Sequence, residues 1–201
     1  MEAQMKDRIA GAEIEPMVDP QLLQDVLGEA LATGGEFAEV FVEDRRSTSA
    51  LLDDGRIEEM ASGRDRGAGI RVVVGETTGF AHTADLSPTS LRAASAAASA
   101  AARGGGGKVR EVVLDRPSGP PSAVVEVLPS DVAKDRKVAL LAEANEAARA
   151  RDGAITQVTA RYADSQRRIQ IANSDGLLTG DRQVRTLFSV SCVASGDSGL
   201  Q

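Results

Sequence analysis

LLDDGRIEEMASGRDRGAGIRVVVGETTGFAHTADL spans residues 51–86. Asp54-Gly55 stands between apolar runs, a strong short-range signal for a hairpin. Gly67, Gly69, Gly75 and Gly79 then punctuate the β-branched run 70–74. Glycine this dense around a strand predicts tight turns or close backbone approach, and it leaves little side chain for chemistry. Residues 56–60 read as one strand; 68–74 and 77–83 read as a hairpin about Gly75-Glu76. Just upstream, residues 37–46 alternate as a strand. Ala38, Val40 and Val42 share one face; Phe37, Glu39, Phe41 and Glu43 share the other. Residues 47–52 are expected as a second strand running into the Asp54-Gly55 turn.

Helices frame this β-rich stretch. Asp19-Pro20 has the form of an N-cap followed by the first helical residue. Leu22, Leu23, Val26, Leu27, Ala30 and Leu31 follow with helical spacing, and Gly34-Gly35 predicts the stop. Ser87-Pro88 repeats the cap signature and opens an alanine-rich helix to about Arg103. Gly104 to Gly107 then reads as a flexible joint. Residues 108–114 are expected as a short strand, and 116–122, with three prolines, as a loop. A third helix is expected to be capped by Ser130 or Asp135 and to run to about Arg151. Val138, Leu141, Ala144 and Ala148 mark its apolar face. Strands at 155–162, 167–172 and 182–194 follow, with turns at Asp164-Ser165 and at 173–176.

This order predicts an α+β fold, helices packed on a mainly antiparallel sheet. Each half runs helix, glycine stop, strands, Asp-Gly turn and further strand. Gly55 and Gly75 are 20 positions apart, as are Gly176 and Gly196. Two explanations stand: two similar helix-plus-meander halves, or a common order that recurred without duplication. Residues 1–18 mix acidic and basic residues with no apolar stretch and read as a disordered leader, not a signal peptide. The folded region is then 19–201, with a sub-boundary at 104–122.

Composition limits the functions available. The net charge is −7 and aromatics are 2% of the chain. Nucleic-acid binding rests on phosphate neutralisation by Lys and Arg and on stacking platforms, so direct nucleic-acid contact is not expected. No apolar run is long enough to span a bilayer. A single cysteine, Cys192, excludes an internal disulfide and fits a reducing, cytoplasmic setting. Its alternation with Phe188, Val190 and Ala194 predicts a buried, inert thiol.

No catalytic, cofactor-binding or metal residue is assigned from the motifs. A catalytic zinc needs three protein ligands and an open position, whereas the chain has one histidine, His82, and one cysteine. His82 is expected to serve structure or surface. Gly196-Asp197-Ser198-Gly199 matches the surroundings of the trypsin-type nucleophile, and His82, Asp115 and Ser198 follow that triad's chain order. Three helices contradict that double-barrel fold, so a turn is the expected reading. Gly67-x-Gly69-x-x-Val72 lacks a third glycine and precedes a strand, which removes the helix N-terminus a phosphate would need. Glu36, Glu39, Glu43, Asp44, Asp53, Asp54, Glu58 and Glu59 read as a solvated sheet face with turn carboxylates, or as a surface for a basic partner. Tyr162, the only tyrosine, is expected in the core or at its rim.

Several segments together carry a family resemblance. They are residues 34–39 (GGEFAE), 54–58 (DGRIE), 66–71 (RGAGIR), 75–81 (GETTGFA) and 172–176 (ANSDG). The chain resembles the N-terminal part of the TldD/PmbA family, known as modulators of DNA gyrase and as metallopeptidases, and looks closer to the TldD branch. His82 stands where an aromatic is expected in relatives. The resemblance implies an N-terminal α/β domain followed by a β-rich domain with a His-Glu-x-x-x-His zinc motif. That motif does not occur here, so this chain is expected to hold no cofactor, to be inactive alone, and to be a front half lacking the zinc-bearing domain. The resemblance further implies proteolysis of unfolded or leader peptides. The expected partner is a PmbA (TldE)-like subunit in a heterodimer, or a second copy. The alternative is a peptide- or partner-binding module without turnover.

Overall fold

The computed structural model describes residues 15–102, 110–115, 125–196 and 199–200. Helix α1 is Pro20–Ala30. Asp19 Oδ1 accepts from the N–H groups of Gln21 (2.9 Å) and Leu22 (3.2 Å), which satisfies two orphan donors of the first turn. The helix ends ahead of the glycine pair, and the chain reverses at Gly34, φ 93°.

Strands β1 (Phe37–Asp53) and β2 (Arg56–Val74) form one long hairpin. Its turn residues Asp54 and Gly55 have φ of 47° and 82°, the paired left-handed conformations of a type I′ turn. Strand β3 (Thr77–Thr83) pairs antiparallel with β2 from Val74↔Thr77 to Ala68↔Thr83. Helix α2 (Pro88–Ala101) is capped by Ser87, whose Oγ accepts from Ser90 N–H. A short 3₁₀ turn, Pro129–Asp131, precedes α3 (Lys134–Arg149). Then come β4 (Ile155–Asn173), β5 (Leu178–Gly196) and β6 (Gly199–Leu200). The six strands lie in the order β3-β2-β1-β4-β5-β6. That order reads alike from either edge, because each half supplies a helix and then a three-strand meander.

Several expected boundaries fall. The breaks predicted near Ser47, between Met60 and Ala68, and at Asp164-Ser165 do not exist; β1, β2, β4 and β5 each run 17 to 19 residues. Serine, aspartate and glycine end a strand only where the neighbouring ladder ends, and β1 and β4 are flanked on both sides. The predicted strand at 108–114 is also corrected: residues 110–114 are irregular, and Asp115 alone bridges Leu177. Neither Ser130 nor Asp135 caps α3. Its N-cap is Ala133, without a side-chain bond, because Ser130 Oγ is engaged with Gln166 and Asp135 lies inside the first turn. The glycine joint at 104–107 and the proline loop at 116–122 lie outside the described residues.

The chain forms two compact units. The first draws on residues 1–44, 65–124 and 167–182. Its core gathers Leu23, Leu27 and Leu31, Val40 and Val42, Ile70 and Val72, and Leu91, each nearly fully buried. Burial of such a side chain contributes roughly 1.5–3 kcal/mol. Small residues let α2 lie close to its neighbours. Ser95 Oγ donates to Val26 O (3.0 Å) and Ser99 Oγ to Ala30 O (2.6 Å), tying α2 to α1. A Cβ on Gly79 would sit 1.9 Å from Ala98 O, so β3 meets α2 backbone to backbone. The approach of β3 is thus one of the close contacts that the glycine density predicts. Ahead of α1, Met17 N–H and Val18 N–H both donate to Gln170 Oε1, and Gln170 Nε2 returns a bond to Val18 O.

The second unit draws on residues 45–64, 125–166 and 183–201. Its smaller core is Ala50, Leu52, Leu141, Ala160 and Tyr162. On α3 the buried positions are Lys137 and Leu141, whereas Val138, Ala144 and Ala148 are only half-buried. The apolar face is therefore turned by one residue from the predicted one.

Candidate functional site

Within the second unit, the sheet face opposite α3 is open. Even positions of β1, such as Ala50 and Leu52, are buried, so odd positions face away. A trough of about 710 Å³ runs over that face. Its floor is made of small residues: Ser47 and Ser49 from β1, Ala61 and Gly63 from β2, Ala163 and Ser165 from β4. Arg45, Arg185 and Leu187 stand at its walls. Small side chains on adjacent long strands leave the space; a single large residue among them would obstruct it.

A second cavity of about 180 Å³ lies in the same unit, lined by Arg46, Thr48, Ser62, Arg64, Ser130, Gln166 and neighbouring residues. Asp164 contributes to the lining of both. Its carboxylate is buried and pairs with Lys137 Nζ at 2.6 Å; that ammonium also lies 5.6 Å from the centroid of the Tyr162 ring. The Tyr162 hydroxyl is pushed up to about 12 by burial first, then by its hydrogen bond to Asp164 and that group's charge. Sequence reasoning found the tyrosine and missed the ion pair. Its trace was there: Lys137 precedes Leu141 by one helical turn, and Asp164 extends the alternation of Ala160 and Tyr162.

The early acidic residues disperse. In the first unit Glu39 pairs with Arg71 (3.5 Å), and Glu43 accepts from Arg167 Nε (2.7 Å). The same arginines lie over Phe37 and Phe41, at 5.5 and 5.8 Å. Asp44 is buried. In the second unit Asp53 accepts from Thr159 (2.7 Å) and Gln157 (3.1 Å), and these bonds, Thr159 first, hold its carboxyl below the usual range. Asp54 pairs with Arg149. Glu36, Glu58 and Glu59 are exposed. Most of these carboxylates therefore serve the fold.

His82 is exposed on β3, its ring 6.3 Å from that of Phe80. Cys192 is exposed, which overturns the expected burial. Phe188 and Val190 on the same face are 45% and 41% exposed, so alternation alone did not reveal that no element of the described chain covers this part of β5. Ser198 lies outside the described residues. Gly67 and Gly69 belong to a strand, so they form no phosphate loop. Among the described residues no three His, Cys, Asp or Glu side chains are grouped to hold a metal ion. No helix among them is long and apolar enough to cross a membrane.

Comparison with known proteins places these features. The PmbA/TldA metallopeptidase domain 1 matches residues 38–102, and the PmbA/TldA metallopeptidase central domain matches residues 128–201. A metalloprotease TldD homolog of Haemophilus influenzae is 28% identical over 157 residues, covering 78% of this chain and 33% of that protein. A metalloprotease of Methanothermobacter thermautotrophicus is 31% identical over 171 residues, covering 83% of this chain and 36% of its own length. The chain thus spans about a third of the length of these curated relatives. The crystal structure of TldE from Thermococcus kodakarensis shares the fold, with a TM-score of 0.71 at 16% identity over 89% of this chain and 40% of that one.

Proposed function

We infer the function of this chain from one premise: it belongs to the PmbA/TldD metallopeptidase family. It supplies the first domain and central-domain sequence of a TldD-like zinc metallopeptidase subunit that acts on unfolded or leader peptides in the cytoplasm. The observation that carries this reading is the match of the two family domains in their order along the chain. The residues present do not fit the zinc itself. The sequence holds one imidazole and one thiol, and no grouping of ligands occurs among the described residues. The metal and the hydrolytic step therefore belong to sequence that the relatives have and the matched third does not contain.

The 201-residue chain is expected to show no zinc-dependent cleavage of unfolded peptides. A zinc-supported activity abolished by a chelator and restored by metal would overturn the assignment.

The trough favours a second reading, a peptide- or partner-binding module without turnover, paired with a PmbA (TldE)-like subunit. A long trough floored by small residues suits an extended segment. Co-purification with a PmbA-type subunit, lost on Ser49→Trp in the trough, is the expected result. Retained capture by that variant would remove the trough from the reading.

A further inference from the structure

We propose that the outer edge of β3 takes up an extended apolar peptide segment as a further strand of the sheet. β3 ends the strand order, with β2 as its partner. The Gly75-Glu76 turn that joins them is a two-residue loop, and Gly75 has φ 55°. The pair flanking such a turn, Val74↔Thr77, is of the hydrogen-bonded kind, and that kind recurs at every second residue. Thr77, Gly79, Ala81 and Thr83 therefore direct their backbone groups to β2. Thr78, Phe80 and His82 direct theirs outward, and no backbone bond from these residues to another element occurs among the described residues. Main-chain donors and acceptors in one line, repeating every two residues, are the complement of a peptide in extended form.

The same residues carry the side chains of the open face. Thr78, Phe80 and His82 are exposed, whereas Gly79 and Ala81 turn to the core side. The Phe80 ring rests on Gly69, where an added Cβ would meet its carbons at 3.0 Å. Covering that bare backbone occupies one side of the ring, yet Phe80 is still 61% exposed. The His82 ring lies 6.3 Å away at an angle of 26°. Arg71, opposite Phe80 in the ladder, is drawn toward β1, where it reaches Glu39 at 3.5 Å and lies 5.5 Å from Phe37. The two rings thus offer a seat for an apolar or aromatic side chain of the added strand.

Edge strands are ordinarily blunted by charge, proline or a bulge. Thr77–Thr83 contains no Lys, Arg, Asp, Glu or Pro. A second copy of the chain is a poor occupant. Stable protein pairs engage roughly 20–30 residues a side. β3 offers 7, and each copy carries a net charge of −7. A single-stranded nucleic acid would meet the rings, but the ladder cation beside them, Arg71, is already paired with Glu39, and Glu76 stands exposed at the turn. The same charge balance favours a peptide with basic ends. This edge belongs to the first unit, so the site is not the trough of the second.

The test is an amide-detected NMR titration of the full 201-residue chain with the peptide Lys-Thr-Phe-Thr-Val-Thr-Lys. Saturable shifts are expected at residues 77–83. Two N-methylated versions, one for each set of alternate peptide residues, separate strand addition from simple adhesion. One is expected to lose binding and the other to keep it, because the guest pairs through one edge only. Phe80→Ala is expected to weaken binding about tenfold. Thr78→Pro, which removes an outward donor and no bond to β2, is expected to weaken it as well. Absence of saturable shifts, the same behaviour of both methylated peptides, or parental affinity in both variants would overturn the proposal. So would shifts confined to trough residues such as Ser49 and Ala163, competition by oligothymidylate at the peptide's own affinity, or a dimer of the chain formed through β3 without peptide. The readout is binding to this chain, so its failure would leave the family assignment intact.

Discussion

The ammonium of Lys137 lies 2.6 Å from Oδ2 of Asp164, with only 3% and 5% of the two side chains exposed. This pair is the polar centre of a small core otherwise made of Ala50, Leu52, Leu141, Ala160 and Tyr162. Taking both charges out of water costs several kcal/mol, which their attraction and the surrounding hydrogen bonds must offset.

Lys137→Met is therefore expected to destabilise the protein by about 3–5 kcal/mol, because it strands a buried carboxylate. Adding Asp164→Leu is expected to recover most of that loss, since an apolar pair needs no compensation. Urea unfolding of both variants checks this. A double variant no more stable than the single one would show that the pair contributes more than mutual neutralisation.

Tyr162 makes the alkaline limit measurable. Its folded value of about 12 lies above the ordinary tyrosine value of 10, so the folded state favours the neutral phenol. The resulting stability is complete below about pH 10 and is lost as pH rises toward about 12, because the unfolded chain ionises first. Tyr162 is the only tyrosine and tryptophan is absent, so tyrosinate absorbance reports this one residue. Tyr162→Phe should remove that part of the alkaline loss.

Gly79 and Gly153 separate two meanings of glycine. A Cβ at Gly79 would meet Ala98 O at 1.9 Å and Ala102 N at 2.4 Å, both backbone atoms. Gly79→Ala must push α2 from β3 and is expected to cost at least about 3 kcal/mol, at the upper end of overpacking penalties. Gly153 has nothing within 4 Å and no left-handed φ. Gly153→Ala is expected to change stability by less than about 1 kcal/mol, and to raise it if anything. Thermal melts of the two variants make the comparison.

Asp85 offers an acid-side test. Hydrogen bonds from the Ser87 and Ser90 hydroxyls, then from the Ser87 N–H, hold its carboxyl below the ordinary value. The stabilisation is present above the ordinary aspartate range and disappears as pH falls through the lowered value. Carboxyl-detected NMR titration of Ser87→Ala should return Asp85 toward the ordinary range. An unchanged midpoint would show that these bonds do not set it.

Helices α1 and α2 and the Asp54-Gly55 turn were legible because capping and type I′ chemistry are local, whereas α3 starts without a side-chain cap. Asp19, Ser87 and Gly55 each act on residues within four positions. Strand continuity was not legible at Ser47, Gly63 or Asp164. At Ser47 and Asp164 the ladder includes strands far along the chain, at Gly63 it is the other arm of the long hairpin, and in each case pairing overrides the local preference for a turn. Cys192 shows the same limit from the other side. Its strand alternates as a buried one would, yet burial depends on what lies over the face, and local pattern cannot supply that. The two cavities were invisible for a related reason, since their walls combine β1, β2 and β4 residues more than a hundred positions apart.

The clasp made by Gln170 has a consequence for biosynthesis. Its amide grips Met17 and Val18 across more than 150 positions. Helix α1 is synthesised well before Gln170, so the segment just ahead of the helix cannot make these bonds until about 150 further residues have followed. Helix α1 can dock on α2 and the first strands before then, but a nascent chain arrested before residue 170 would lack the bonds that hold Met17 and Val18. Gln170→Glu would leave the finished protein in a similar condition: a carboxylate cannot donate to the Val18 carbonyl, and the latch would be present without its return bond.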